Sequence, residues 1–196
     1  VFMDRAKVED LEGDIRKAVE NGMSAINQLK TEFPGLKIDA VEKGRRVPLR
    51  SMVEYDDTGM TFTGFIDAVF RHDNGHLIVD YKTDKNTNYA SDHKRQLAVY
   101  RKMHSILEEI PEDRISTCVV FVALRGGINT GKFDWSIEME KRNAFSTFAK
   151  HLQTVLVWKR DPKKFIQDLL DHPRDDPLYQ AIKEKITQNR SKSSSD

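Results

Sequence analysis

What the sequence lacks narrows it first. Of its 196 residues only one, Cys118, is cysteine. That excludes an internal disulfide framework, a C-x-x-C zinc site and an iron–sulfur cluster built by this chain alone. It also favours a reducing, intracellular setting. An excess of one charge is missing too: 32 Lys and Arg stand against 31 Asp and Glu, a net +1. A nucleic-acid role would have to come from local patches rather than bulk charge. No apolar run reaches the ~18 residues of a membrane span, so no membrane partner is expected. The opening residues, Val1 to Lys7, have neither the apolar stretch nor the cleavage site of a signal peptide. The chain does not begin with methionine, which predicts a piece of a longer protein. There is no internal repeat.

What is present reads as a globular α/β domain over residues 1–188, followed by a Ser- and Lys-rich disordered tail at 189–196. Val8, Leu11, Ile15, Val19, Met23, Ile26 and Leu29 recur at helical steps and predict a helix over 4–30 with an apolar core face. Residues 37–55 read as extended, broken by Gly44 and Pro48. A hairpin follows, with strands at 60–71 and 77–82 around Asn74-Gly75, the dipeptide that most strongly signals a tight turn. A helix is expected over 90–109, capped by Ser91 or Asp92. The β-branched run 115–124 reads as a buried strand. Gly126-Gly127 turns it into a partner strand at 132–139, and helices are expected at 140–159, 162–171 and 176–187. This order predicts a central mixed sheet flanked by helices.

Centring the hairpin on Asn74-Gly75 sets Asp67 opposite Lys82 and Val69 opposite Asp80. Side chains two apart share a face, so Asp67, Asp80 and Lys82 emerge together, with Phe65, Val69 and Ile78 around them. Ile66, Ala68, Phe70, Val79 and Tyr81 take the other face. Two acids and a lysine on an apolar hairpin must be paired or bind a metal. Two readings are open at this point: a structural ion pair of Lys82 with Asp67 or Asp80, or two carboxylates sharing a hard divalent cation, which oxygen ligands select.

Gly64-Phe65-Ile66-Asp67, then Ile78-Val79-Asp80-Tyr81-Lys82-Thr83, then Gln96-Leu97-Ala98-Val99-Tyr100 resemble, in order and spacing, the three blocks of the RecB-like nucleases of the PD-(D/E)xK superfamily. The resemblance covers residues 40–125 best and implies a restriction-endonuclease-like core. It implies that Asp67, Asp80 and the main-chain carbonyl of Tyr81 hold Mg²⁺ or Mn²⁺, that Lys82 is catalytic, and that Gln96 and Tyr100 face the site. Glu42 falls where the family often has an auxiliary acid. The family's upstream-helix histidine is absent: it precedes Val1, or Glu9 or Glu12 of the first helix replaces it, or the site is weakened. The lack of clustered cysteines points to the RecB/AddA type rather than the iron–sulfur branch.

Basic residues flank these motifs. Lys43, Arg45, Arg46 and Arg50 precede the hairpin, and Lys85, His93, Lys94, Arg95, Arg101 and Lys102 follow it, a candidate phosphate track. The remaining histidines read as surface or helix-edge residues, and Cys118 as a small core residue. The reading is a metal-dependent deoxyribonuclease, an exonuclease acting on DNA ends or single strands in repair or recombination. With no Walker A motif in the chain, a helicase in cis or in trans would supply any ATP-driven step. The rival reading is a nuclease fold that has lost catalysis and serves as a DNA-binding or assembly module.

Overall fold

A computed structural model describes residues 5–53, 59–125, 133–140, 144–171, 180 and 183–185. In chain order these form α1 (Arg5–Glu32), β1 (Lys37–Pro48), β2 (Thr61–His72), β3 (Gly75–Lys82), α2 (Ala90–Glu108), β4 (Ile115–Arg125), β5 (Phe133–Met139), α3 (Ala144–Arg160) and α4 (Pro162–Asp171). The strands make one sheet in the order β1-β2-β3-β4-β5. Only β3 and β4 run parallel, as a strand–helix–strand crossover through α2 requires. The extended stretch expected from 37 ends at Pro48 in a 3₁₀ turn, Leu49–Ser51. The Gly126-Gly127 turn and the 189–196 tail lie outside the described residues, as does most of the 176–187 helix.

Contacts divide the chain into two compact units, 1–149 and 150–196. The first holds the sheet. Its α2 face is a core of Val47, Ile66, Val69, Ile78, Leu97, Tyr100, Met103, Val119 and Phe121. Its α1 face is a second core of Ala25, Leu29, Ala68, Phe70, Val79, Cys118 and Val120. Cys118 is buried, and burial pushes its thiol up to about 12. In the second unit, Trp158 packs edge-on against Phe165 and donates its indole N–H to Asp168 Oδ2 at 2.7 Å.

Helix α1 meets the sheet differently from its apolar periodicity. Leu11, Ile15, Val19 and Met23 are exposed. The contact is made by Ala18, Gly22, Ala25 and Leu29, with Asn21 Nδ2 donating to the carbonyl of Val122 at 2.8 Å. Small side chains bring the helix close to β4, and the larger stripe is left beside the contact.

The hairpin register also differs from the expected one. Val69 pairs with Ile78 and His72 with Gly75, so Asp73-Asn74 form the turn. Gly75 is needed elsewhere. It has φ +149°, and a Cβ there would lie 2.0 Å from the Arg114 carbonyl oxygen. The glycine admits the backbone leading into β4, and the turn moves back one residue. Because the paired numbers shift by two, Asp80 and Lys82 keep the face expected of them.

Strand β2 reverses its side-chain alternation at Asp67. Ile66 and Val69 both join the α2 core, while Ala68 and Phe70 join the other. On β1, Val41 pairs with Ala68 and Lys43 with Ile66, which leaves Glu42 and Asp67 facing each other unpaired; Glu42 has φ +47°. Ile66 therefore sits on the α2 face rather than the opposite one, and Phe65 is exposed rather than flanking the acids.

Candidate active site

Asp67 leaves the regular pleat where the β2–β3 ladder stops. The last pair is Ala68 with Val79. Beyond it a side chain does the work of a backbone acceptor: the Tyr81 N–H donates to Asp67 Oδ2 at 2.9 Å. The two strands part there, and the space between them is where the polar groups gather.

Asp80 is 2% exposed. Lys82 Nζ lies 2.7 Å from its Oδ2, a charge contact that falls short of a directed hydrogen bond, so that this buried oxygen has no aligned donor. Burial pushes the Asp80 carboxyl above its ordinary range; the Lys82 ammonium opposes this and the Asp67 carboxylate adds to it. Gln96 and Tyr100 stand over the group from α2, with Gln96 Nε2 donating to Tyr100 Oη at 2.8 Å. Burial raises the Tyr100 hydroxyl, the Gln96 bond lowers it, and the charges of Asp80, Asp67 and Lys82 all reach it. Gly64 makes this possible, since a Cβ there would sit 2.7 Å from Tyr100 Cε1. The five residues of the three sequence blocks thus converge at the end of β3.

Helix α2 begins at Tyr89 with no side-chain cap, so Ser91 and Asp92 lie inside it. Asp92 instead complements the helix dipole in the first turn and pairs with Arg95. The sequence put His93 in the basic track that follows the hairpin and not beside the carboxylates. Its Nε2 lies 2.7 Å from Asp84 Oδ2, its ring packs on Phe121, the strand neighbour of Lys82, and its charge reaches Asp80. The signal was its place ten residues after the Asp-Tyr-Lys-Thr block, on the face of α2 that also bears Gln96 and Tyr100.

The flanking basic residues scatter. Lys85, Arg46 and Arg95 are exposed, and Lys94 Nζ lies 2.9 Å from Glu138 Oε2. Arg45 does not reach the surface. It is 5% exposed, with Nη1 2.5 Å from Glu108 Oε1 and Nη2 2.7 Å from His104 Nδ1. His104 in turn is fully buried and its Nε2 meets His76 Nδ1 at 2.8 Å, so His104 is an interior group rather than a surface one, while His76 is half-buried. Glu42 is exposed on β1 opposite Asp67; Glu12 is exposed on α1, and the Glu9 side chain lies outside the described residues.

A family model, described as the PD-(D/E)XK nuclease superfamily, matches residues 4–192. The chain belongs to the PD-(D/E)XK nuclease superfamily. No curated protein sequence matches it. The five-stranded mixed sheet between helices is the restriction-endonuclease-like fold of that superfamily. PD-(D/E)XK nucleases act generally as phosphodiester hydrolases with Mg²⁺ or Mn²⁺. The donors present fit such a cation: they are oxygens, and the buried Asp80 carboxylate already holds a positive group, the Lys82 ammonium, against its Oδ2. Among the described residues no cluster of three or more His, Cys, Asp or Glu side chains forms, so Asp67 and Asp80 stand as a two-carboxylate set. No described helix is long and apolar enough to cross a membrane.

Proposed function

We propose that this PD-(D/E)XK nuclease is a Mg²⁺- or Mn²⁺-dependent deoxyribonuclease of the RecB/AddA type, an exonuclease that works on DNA ends or single strands. The observation that carries the reading is Asp80: a carboxylate 2% exposed, with the charge of a second carboxylate, Asp67, acting on it and a single ammonium, Lys82, against its Oδ2. Asp67, Asp80 and the Tyr81 carbonyl would hold the ion. When bound, it lowers the pKa of a water and polarises the scissile phosphate. Lys82 keeps its ammonium beside Asp80, where it orients the attacking water and neutralises charge growing on the phosphate. Gln96 and Tyr100 fix each other through their hydrogen bond and shield that side from bulk water. Glu42 is an auxiliary acid on the β1 side. Lys85, Lys94, Arg95 and Arg46 hold the DNA backbone, the two ion-paired ones by exchanging a partner carboxylate for phosphate. Residues 1–188 act as one nuclease domain, which the unbroken match over 4–192 supports. Its place is intracellular, in a helicase–nuclease system of repair or recombination.

The second reading, a non-catalytic DNA-binding or assembly module, draws on the two-carboxylate set with no third ligating side chain among the described residues. One experiment separates them: cleavage of end-labelled linear and closed circular DNA, single- and double-stranded, with Mg²⁺, Mn²⁺ or EDTA. Metal-dependent loss of linear DNA with circles spared is the expected result, abolished in Lys82→Ala while Mn²⁺ still binds. DNA binding without cleavage would establish the module instead.

A further inference from the structure

The strand ends that aim Asp80 and Lys82 at α2 aim their neighbours at α1. Thr83 follows Lys82, and Ala123 lies on β4. With Leu11 and Ile15 of α1 they line a cleft of about 220 Å³. Its walls are aliphatic, and its lip carries two cations, Lys85 and Arg125, and one acid, Asp14. Lys85 is exposed there, and Arg125 lies with it at the same edge, the Arg125 N–H donating to the Lys85 carbonyl at 3.0 Å. The Arg125 guanidinium contacts Asp14 Oδ2 at 3.2 Å, with both side chains nearly half exposed. Such a surface pair is worth little, so a phosphate can compete for the guanidinium.

Aliphatic walls under a lip of net positive charge match a ligand with one compact, flat, weakly polar part and one anionic part. The geometry points to a subsite for a single unpaired nucleobase of the substrate strand, seated between Ile15 and Ala123, with its phosphate on Lys85 and Arg125. This rests on the proposed deoxyribonuclease reading and adds the form of the DNA. The volume suits one base, and a base inside a duplex is stacked and paired and cannot enter; unpaired bases can be held between apolar side chains. The cleft begins one residue beyond Lys82. Through Thr83 the cleft on the α1 face and the carboxylates on the α2 face share the end of β3, so one strand passing that end can reach both. Single strands and frayed ends are therefore the preferred substrates.

Ile15 is the residue to change, because at 56% exposure its substitution leaves the core intact. The full chain is compared with Ile15→Glu and Ile15→Leu on a single-stranded oligonucleotide and on the duplex of the same sequence. KM and kcat are measured with Mn²⁺, and affinity in EDTA by fluorescence anisotropy. For the single strand, Ile15→Glu should raise KM and Kd about tenfold, the scale of one stacked base. The kcat should change less than about twofold, as when binding common to ground and transition states is removed. Duplex values should stay as in the wild type, and Ile15→Leu should restore the single-strand values. A single abasic position moved along the strand should weaken wild-type binding at one place and leave Ile15→Glu indifferent there. Equal losses on single strand and duplex would reduce the effect to charge and overturn the subsite, as would no loss at all. Failure of the nuclease reading is seen separately, as absence of cleavage by the wild type with Mn²⁺; the affinities in EDTA still decide the cleft.

Discussion

Two groups of charged side chains lie along the α2 face, one at each end of β3, and they are built on opposite terms. At the start of β3, Glu108, Arg45, His104 and His76 form a chain of one ion pair and two hydrogen bonds, in which the buried Arg45 Nε has no partner. The guanidinium only donates, so His104 Nδ1 accepts from it, and the His104 proton sits on Nε2 and points to His76. Arg45 and Lys43 hold the Glu108 carboxyl down at about 2, and burial together with the Arg45 charge holds the His104 imidazole down at about 4. At the other end, burial pushes Asp80 upward even though Lys82 Nζ lies against its Oδ2, and the Asp67 charge adds to the rise. A polar group that closes on itself supports the fold. One that sets two carboxylates against a single ammonium is short of positive charge, which a cation would supply.

The sharpest way to break this contrast is to neutralise each end in turn. Asp80→Asn should cut DNA cleavage about a thousandfold, roughly 4 kcal/mol of transition-state stabilisation, and abolish Mn²⁺ binding by calorimetry. In EDTA its Tm should not fall, because the change removes a buried carboxylate that resists ionisation. Arg45→Ala should do the reverse, costing about 3 kcal/mol in urea unfolding while the affinity for Mn²⁺ stays unchanged. A matching loss of stability in Asp80→Asn would make the Asp80 end a structural ion pair after all.

The pH dependence separates the ends again. His104 titrates lower in the folded state, so the unfolded chain binds more protons between its pKa of 6.5 and about 4. Its stabilising contribution is complete above 6.5 and is lost as pH falls through that window, about 3 kcal/mol for a fully buried ring. Asp80, raised, has the opposite sign: its contribution is present below its unfolded value and is lost as pH rises through the folded one. In His104→Gln, which keeps an acceptor and a donor, the fall in stability from pH 6.5 to 4 should flatten in denaturant titrations; an unchanged slope would remove His104 as its source. The smallest effect belongs to packing. Gly64→Ala should displace the Tyr100 ring and cost about 1–3 kcal/mol of stability together with a modest drop in kcat, read by thermal melts and single-turnover rates.

Much of this was legible in the residues because it rests on local patterns. The hairpin, the crossover helix, the buried parallel strand and the shared face of Asp80 and Lys82 follow from alternation and helical spacing. What was not legible depends on residues far apart in the chain. Gly75 looked like a turn centre, but its need is set by Arg114, which no local pattern reveals. The α1 stripe looked like a core face, but helix and sheet approach through Ala18, Gly22 and Ala25, too small to dominate a count of apolar positions. Arg45 looked like one cation in a surface cluster until α2 brought His104 and Glu108 to it. Gly64 was visible as part of a motif, yet the reason for it is the Tyr100 ring 36 residues later.

The hydrogen bond from the Tyr81 N–H to Asp67 links two things that a ligand inventory would count apart. The same carboxylate that faces Asp80 also fixes the peptide plane from which Tyr81 projects. A descendant that lost Asp67 would lose the set of its neighbouring backbone in the same step, so this centre is inherited or discarded whole.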